Sequence, residues 1–248
     1  MTTLDFIDKV SLGDCLELMP RLEDSSIDLV LADLPYGTTR NKWDSVIPLD
    51  RMWKEYERII KPNGAIVLTA AQPFTAALIM SNPNLFKYEW IWSKTIGSGQ
   101  LNAKKQPLRT HESVLVFYKN PPIYNPQMTE GKPYHMKRKA TYEGPGYNQQ
   151  KPNETKNDGF RLPKSVLEIP NPRIKGGHPT QKPLALMEYM IKTYTNEGQI
   201  VLDNVIGSGT TAVAAINTNR HFIGFEMDEN YYNISKDRIS KALENIDI

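Results

Sequence analysis

Gln199-Ile-Val-Leu-Asp-Asn-Val-Ile-Gly-Ser-Gly-Thr-Thr211 is the stretch on which the fold turns. Its opening apolar run, closed by Asp203, reads as a short buried strand. The chain then turns through Gly207, Ser208 and Gly209, and a helix opens at Thr210 and Thr211. Glycine there lets the backbone approach a ligand closely, and the new helix offers unpaired N–H groups to an anion. The next strand, His221-Phe-Ile-Gly-Phe-Glu226, ends on a second acid 23 positions after Asp203. An acid at that distance accepts hydrogen bonds from ribose hydroxyls in nucleotide-binding sheets. Together these features predict an adenosine-containing cofactor; the plainer alternative is a glycine turn without a ligand.

The glycine count narrows the cofactor. A dinucleotide fold wants Gly-x-Gly-x-x-Gly, and no third glycine follows Gly209 before Gly224. ATP would want Gly-Lys-Ser/Thr, which is missing here. S-adenosyl-L-methionine has a ribose but no pyrophosphate, so the shorter turn suffices, with its carboxylate at the helix N-terminus.

Outward from this stretch, short apolar runs alternate with helical patterns, as in an α/β sheet. Strands are predicted at 27–32, 65–69, 88–92 and 113–118, and helices at 50–60, from 73, along 184–194, at 210–218 and at 228–243. Pro62-Asn63-Gly64 is expected to stop the helix before it.

Asp33-Leu34-Pro35-Tyr36-Gly37 follows the strand at 27–32, where ligands of open α/β sheets collect. Here the chain resembles the amino-methyltransferases of DNA, whose hallmark is Asp/Asn/Ser-Pro-Pro-Tyr/Phe. The resemblance implies methyl transfer from S-adenosyl-L-methionine to adenine N6 or cytosine N4 of a base turned out of the duplex. An exocyclic amine is a poor nucleophile because its lone pair is delocalised into the ring. The Asp33 carboxylate and the residue-34 carbonyl, gripping its hydrogens, would direct that lone pair at the methyl group. Tyr36 would stack on the everted base. Leu34 stands where the family has proline, and Asn204-Val205 where many relatives have Pro-Phe.

Weaker blocks extend the resemblance. His178-Pro-Thr180-Gln181-Lys182-Pro183 is similar to the segment holding the methionine end of the cofactor, with Lys182 and Thr180 as carboxylate partners. Gly13-Asp14-Cys15 resembles the place where an acid meets the cofactor adenine; a helix cap by Asp14 is the alternative. Trp92-Ser-Lys94 and His111-Glu112 match further blocks or are structural. The fold implied is a Rossmann-like S-adenosylmethionine-dependent methyltransferase, α/β, with a mixed seven-stranded sheet and helices on both faces. Catalytic motif first and cofactor motif last is the β arrangement, with 1–118 and 176–248 as catalytic domain and 119–175 as target-recognition insertion.

Residues 119–175 break the pattern. They hold eleven Lys or Arg against five Asp or Glu, a net of +6, which leaves −4 for the rest of a chain whose total is only +2. Tyr134, Tyr142, Tyr147 and Phe160 interleave with the cations, as phosphate binding and base stacking require; a solvated loop is the plain alternative. Lys137, Arg138, Lys139, Arg161 and Lys164 are the expected DNA ligands.

The 248 residues, 40% hydrophobic, exclude wholesale disorder. No apolar run approaches the ~18 residues of a membrane span. One cysteine excludes a disulfide framework and points to a reducing, cytoplasmic compartment. Four histidines at 111, 135, 178 and 221 show no zinc spacing, so no metal is expected. The expected partner is DNA, with no membrane; a homodimer and a cognate restriction nuclease encoded elsewhere are open. The leading reading is a site-specific DNA methyltransferase, adenine N6 favoured by Asp33. Its rivals are a cytosine-N4 enzyme, an RNA or protein-glutamine methyltransferase, a binding module without catalysis, and, last, a nicotinamide dehydrogenase.

Overall fold

The computed structural model describes residues 2–37, 45–139, 152–171 and 181–244. It forms two compact units, Met1–Asn125 with Ser165–Ile248, and Pro126–Lys164. In the first unit, β1 (Lys9–Leu12), α1 (Cys15–Leu18), β2 (Ile27–Ala32), α2 (Leu49–Ile59), β3 (Ile60–Ala70), α3 (Phe74–Ser81), β4 (Phe86–Ser98) and β5 (Arg109–Phe117) precede the second. The second unit carries β6 (Thr129–Glu130), β7 (Tyr134–Arg138), β8 (Asn153–Asn157) and β9 (Phe160–Arg161). The chain returns through β10 (Val166–Glu168), α4 (Leu184–Tyr194), β11 (Ile200–Asp203), α5 (Thr210–Asn217), β12 (His221–Glu226) and α6 (Glu229–Glu244).

The sheet runs β1-β12-β11-β2-β3-β5-β4-β10. β1, β12, β11, β2 and β3 are parallel, and β5 reverses against both β3 and β4. The fold is therefore the mixed α/β sheet expected, with one more strand. The eighth is β10, three residues inside the 119–175 stretch expected as an insertion, which pair with β4 and belong to the first unit. It is too short to show a period of two, and the Trp92 indole of β4 pins its end by donating to the Ile169 carbonyl at 2.8 Å.

Side-chain alternation builds a core on each face. Val30, Ala32, Ile66, Leu68, Leu202, Ile223 and Phe225 pack on one side with α1, α2 and α3. Leu29, Leu31, Val67, Val201 and Phe222 pack on the other with α4 and α5. From β2 the chain crosses one face to β3, and from β11 the opposite face to β12. The adjacent strands β11 and β2 thus form a topological switch point, and a crevice opens beyond their carboxyl ends. Asp203 ends β11 and Asp33 follows β2.

Pro62-Asn63-Gly64 is not a break between elements; α2 ends before it and β3 runs through it. The register jumps from Ile27↔Ile60 to Leu29↔Ala65, so these residues form an irregularity inside the strand. Gly64 is required there, since a Cβ would lie 2.8 Å from the Asp28 carbonyl oxygen.

Asp28, 5% exposed, stands in an otherwise apolar strand. Its carboxylate accepts from Lys61 Nζ at 2.8 Å, Gln199 Nε2 at 2.8 Å and the Ile200 amide at 3.0 Å, tying β2 to β3 and β11. Asp28→Ala leaves a buried amide and an amide side chain without their acceptor, so a loss of about 3 kcal/mol is expected. Urea denaturation checks this, and an unchanged midpoint would show that the three contacts are energetically silent.

Candidate active site at the switch point

A cavity of about 750 Å³ opens at these strand ends and is lined by Asp14, Asp33, Asp203 and Glu226 from four parallel strands. Leu34, Pro35 and Tyr36 line it from the turn after β2. Cys15, Gln181 and Lys182 also face it, as do Gly207, Ser208, Thr210 and Thr211. Gly209 lies behind this wall as the N-cap of α5, at φ 84°. The two halves of the expected site, far apart in sequence, are thus brought to one cavity. His178 and Thr180 lie outside the described residues.

The Asp33 carboxylate is held on three sides. Oδ1 accepts from the Tyr36 hydroxyl at 2.9 Å and from the Thr69 hydroxyl. Oδ2 accepts from Lys182 Nζ at 2.6 Å. Lys182 also lies 3.2 Å from Glu112 Oε2, and Glu112 Oε1 pairs with Lys94. A chain of alternating charge, Asp33–Lys182–Glu112–Lys94, therefore runs along the cavity wall. Burial alone would lower the Lys182 ammonium, but Asp33, then Tyr36 and Glu112, hold it above the usual lysine value. It stays a cation.

Two of the expected site residues have protein partners of their own. The resemblance gives Lys182 to a cofactor carboxylate, yet its ammonium is engaged by Asp33 and Glu112. It gives Tyr36 to base stacking, yet that ring stacks on Phe74 at 5.3 Å and 23°, with Lys182 Nζ 5.5 Å from its centroid. The Tyr36 hydroxyl donates to Asp33 and so orients it. Burial, reinforced by the Asp33 carboxylate, raises the phenol well above its ordinary value, so it remains a donor. Leu34 is 3% exposed and packs in the core while bordering the cavity, so the leucine adds apolar contact beneath the turn.

On the other side, Glu226 accepts from the Gly207 amide at 2.8 Å and the Asp228 amide at 2.9 Å, leaving further lone pairs for a ligand. Burial raises its carboxyl above the usual value. Asp203 accepts from the Thr211 hydroxyl at 2.6 Å and the Val205 amide at 3.1 Å. The glycine turn is braced by Arg238 of α6, which donates to the Ser208 carbonyl at 2.6 Å and hydroxyl at 2.8 Å. Gly209 is required by packing as well as by φ: a Cβ would lie 3.0 Å from that of Ser235. Asp14 does cap α1, accepting from the Leu16 amide at 2.8 Å, and also faces the cavity. Cys15 is no nucleophile, since burial pushes its thiol up to about 11.

Thr69, Tyr56 and Arg238 carry no sequence signal of these roles. Asn204 is buried and accepts from the Tyr56 hydroxyl at 2.5 Å. Lys94 and Glu112 sit in the two weaker blocks and prove to belong to the Asp33 chain. Of the expected DNA ligands, Arg161 is engaged within its own unit, donating to Asn157 and the Lys132 carbonyl and stacking 4.7 Å over Tyr134. Lys137 faces Glu154 at 3.6 Å, while Arg138, Lys139 and Lys164 are exposed. Tyr142 and Tyr147 lie outside the described residues. Among those residues no group of three or more His, Cys, Asp or Glu could hold a metal, and no helix is long and apolar enough to cross a membrane.

A switch-point cavity with a carboxylate turn facing a glycine turn is the arrangement of an α/β methyltransferase. The chain belongs to the N6_N4_Mtase family of DNA methylases, whose model matches residues 27–237, and it is a DNA amino-methyltransferase. It is 28% identical over 252 residues to the DNA adenine methyltransferase YhdJ of Escherichia coli strain K12, spanning 93% of this chain and 82% of that one. The M1.HpyAVI–SAM complex superimposes with a TM-score of 0.63 at 24% identity, over 96% of this chain and all (100%) of that one. The cytosine-N4-specific PvuII DNA methyltransferase gives 0.67 at 18%, over 96% and 92%. At these identities the two structures bear on the fold alone.

Burial is the main reason the Asp203 carboxyl is raised from 3.8 to about 7, with the carboxylates of Asp33 and Glu226 adding to it. Because the folded value exceeds the unfolded one, its contribution to stability is present below pH 3.8 and lost as pH rises toward 7. Asp203→Asn should flatten the fall in stability across that window, read from denaturation midpoints at stepped pH. Parallel pH profiles for the two proteins would overturn the assignment.

Proposed function

We propose that this protein transfers the methyl group of S-adenosyl-L-methionine to N6 of an adenine everted from a specific DNA site. The observation that carries the reading is the Asp33 carboxylate, fixed by three donors and facing the cavity that Glu226 and the glycine turn share. A carboxylate has about four acceptor positions. Three are taken by Tyr36, Thr69 and Lys182, which leaves one for an amine hydrogen. Lys182, Tyr36 and Thr69 fix the direction of the acceptor, so that the amine meets a preorganised group.

The donor set suits the cofactor. Glu226 has lone pairs left to accept from a ribose diol and Asp14 from an adenine amine, while Ser208 and Thr210 at the start of α5 face the cavity where a carboxylate would sit. The cavity wall carries Asp14, Asp33, Glu112, Asp203 and Glu226 against Lys94, Arg109 and Lys182, a balance that favours a cationic ligand. When bound, S-adenosyl-L-methionine supplies an electrophilic methyl group on a sulfonium. Asp33 and the Leu34 carbonyl hold the amine in line with that methyl group.

Adenine is supported by Asp33 itself and by the similarity to an adenine methyltransferase; cytosine N4 is the second reading, supported by the family's scope. The exposed cations Arg138, Lys139 and Lys164, with Lys137, support the 119–175 stretch as the target-recognition region. A cytoplasmic location follows from the substrate, and a homodimer and a cognate nuclease encoded elsewhere are carried from the resemblance.

Incubating DNA with the protein and labelled cofactor, then mapping modified bases by sequencing and mass spectrometry, tests the reading; N6-methyladenine at one short site is expected. Modified RNA or protein in place of DNA would sink it. Asp33→Ala should abolish transfer while leaving the fold, and retained turnover removes Asp33 from catalysis. Glu226→Ala should weaken cofactor binding by about 1–3 kcal/mol by calorimetry, the scale of a lost hydrogen bond to a charged group.

A further inference from the structure

The hairpin of β4 and β5 reaches beyond its regular pairing. Its ladder shifts register after Ser93↔His111 and closes at Ser98↔Arg109. Residues 99–108 form the tip, opened by Gly99 at φ 95° and a short helical turn, Gln100–Asn102. Leu101 at its crown is wholly exposed, at 102%. Between Lys94 and Glu112 there is no acidic residue, while Lys104, Lys105 and Arg109 stand there, all exposed. None of these three forms an ion pair among the described residues.

The tip is braced. Gln100 Nε2 donates to the Gly97 carbonyl at 2.6 Å, and the Lys105 and Gln106 amides donate to the Asn102 carbonyl at 2.8 and 3.0 Å. The Asn171 side chain brackets the base of the hairpin, accepting from the Ile96 amide at 3.4 Å and donating to its carbonyl at 3.3 Å. Ser98, Arg109 and His111, at the foot of the tip, line the same cavity as Asp33. A preformed apolar point amid unpaired cations therefore rises from the rim of the site.

We propose that this tip opens the duplex: Leu101 enters the base stack beside the everted nucleotide, and Lys104, Lys105 and Arg109 hold the flanking phosphates. The proposal rests on the DNA methyltransferase reading above. Turning a base out costs stacking and pairing, and an apolar side chain wedged into the step offsets part of that cost. The cations supply affinity without sequence preference. A second copy of this chain is a poorer occupant, because it would bring the same cations against these.

The test uses Leu101→Ala and the double variant Lys104→Gln/Lys105→Gln in the full chain, on oligonucleotides carrying the site mapped for the wild type. One substrate is the intact duplex and the other a duplex whose target base faces an abasic position. Leu101→Ala should lower kcat/KM about tenfold on the intact duplex but within about twofold on the abasic-opposed one, where eversion is already cheap. The lysine variant should reduce the slope of log affinity against log salt by ~0.9 for each phosphate it no longer neutralises. Equal losses on both substrates, or full activity on the intact duplex with an unchanged salt slope, overturn the proposal. Loss of a dimer in Leu101→Ala by sedimentation assigns the tip to a second copy and overturns it as well. A wild type that methylates no DNA fails the parent reading, a different result from a methylating wild type whose variants match it.

Discussion

The contact between Lys182 and Asp33, across 149 positions of sequence, is the interaction on which the site depends. One partner follows β2 and the other precedes α4, on either side of the basic stretch. An ion pair this enclosed gains little net stability, because desolvation offsets most of the attraction. Its effect is specificity of arrangement. It holds the Asp33 carboxylate in one orientation at the cavity wall, and Glu112 and Lys94 continue the alternation of charge beyond it.

That arrangement is possible only because of the sheet order. Parallel strands place their carboxyl ends on one side, and the connections from β11 and β2 leave over opposite faces, which separates the crossing helices there. Acids that close four strands then face one cavity without being neighbours in sequence. The cost is visible in Asp203, whose burial opposes its own ionisation. A site of this kind gives up stability near neutral pH for a charge pattern that suits a cationic ligand.

Much of this is legible in the sequence. The run into Asp203, the glycine turn and Glu226 have a short-range grammar of apolar strand, turn and helix, and the structure follows it nearly residue by residue. The same holds for 27–32 and Asp33. What is not legible depends on long-range contact. Three residues at 166–168 form a strand only because β4 offers an edge, and Pro62-Asn63-Gly64 reads as punctuation until Asp28 and Ala65 fix the register across it. Lys182 sits in a recognisable block, but spacing along a chain says nothing about which of two anions lies nearer to it. Tyr36 reads as a stacking platform for a base because Phe74 and the ammonium beside it come from other segments. Arg238 leaves no local trace at all.

The meeting of Gly209 with Ser235 links two positions that share no chemistry. Neither can grow independently: a methyl group on the first presses on the second, and a bulkier side chain at the second would push the loop beneath the cofactor pocket. With glycine fixed at the first site by its φ as well, the second is held to a small side chain, and α6 becomes the floor against which the glycine turn rests.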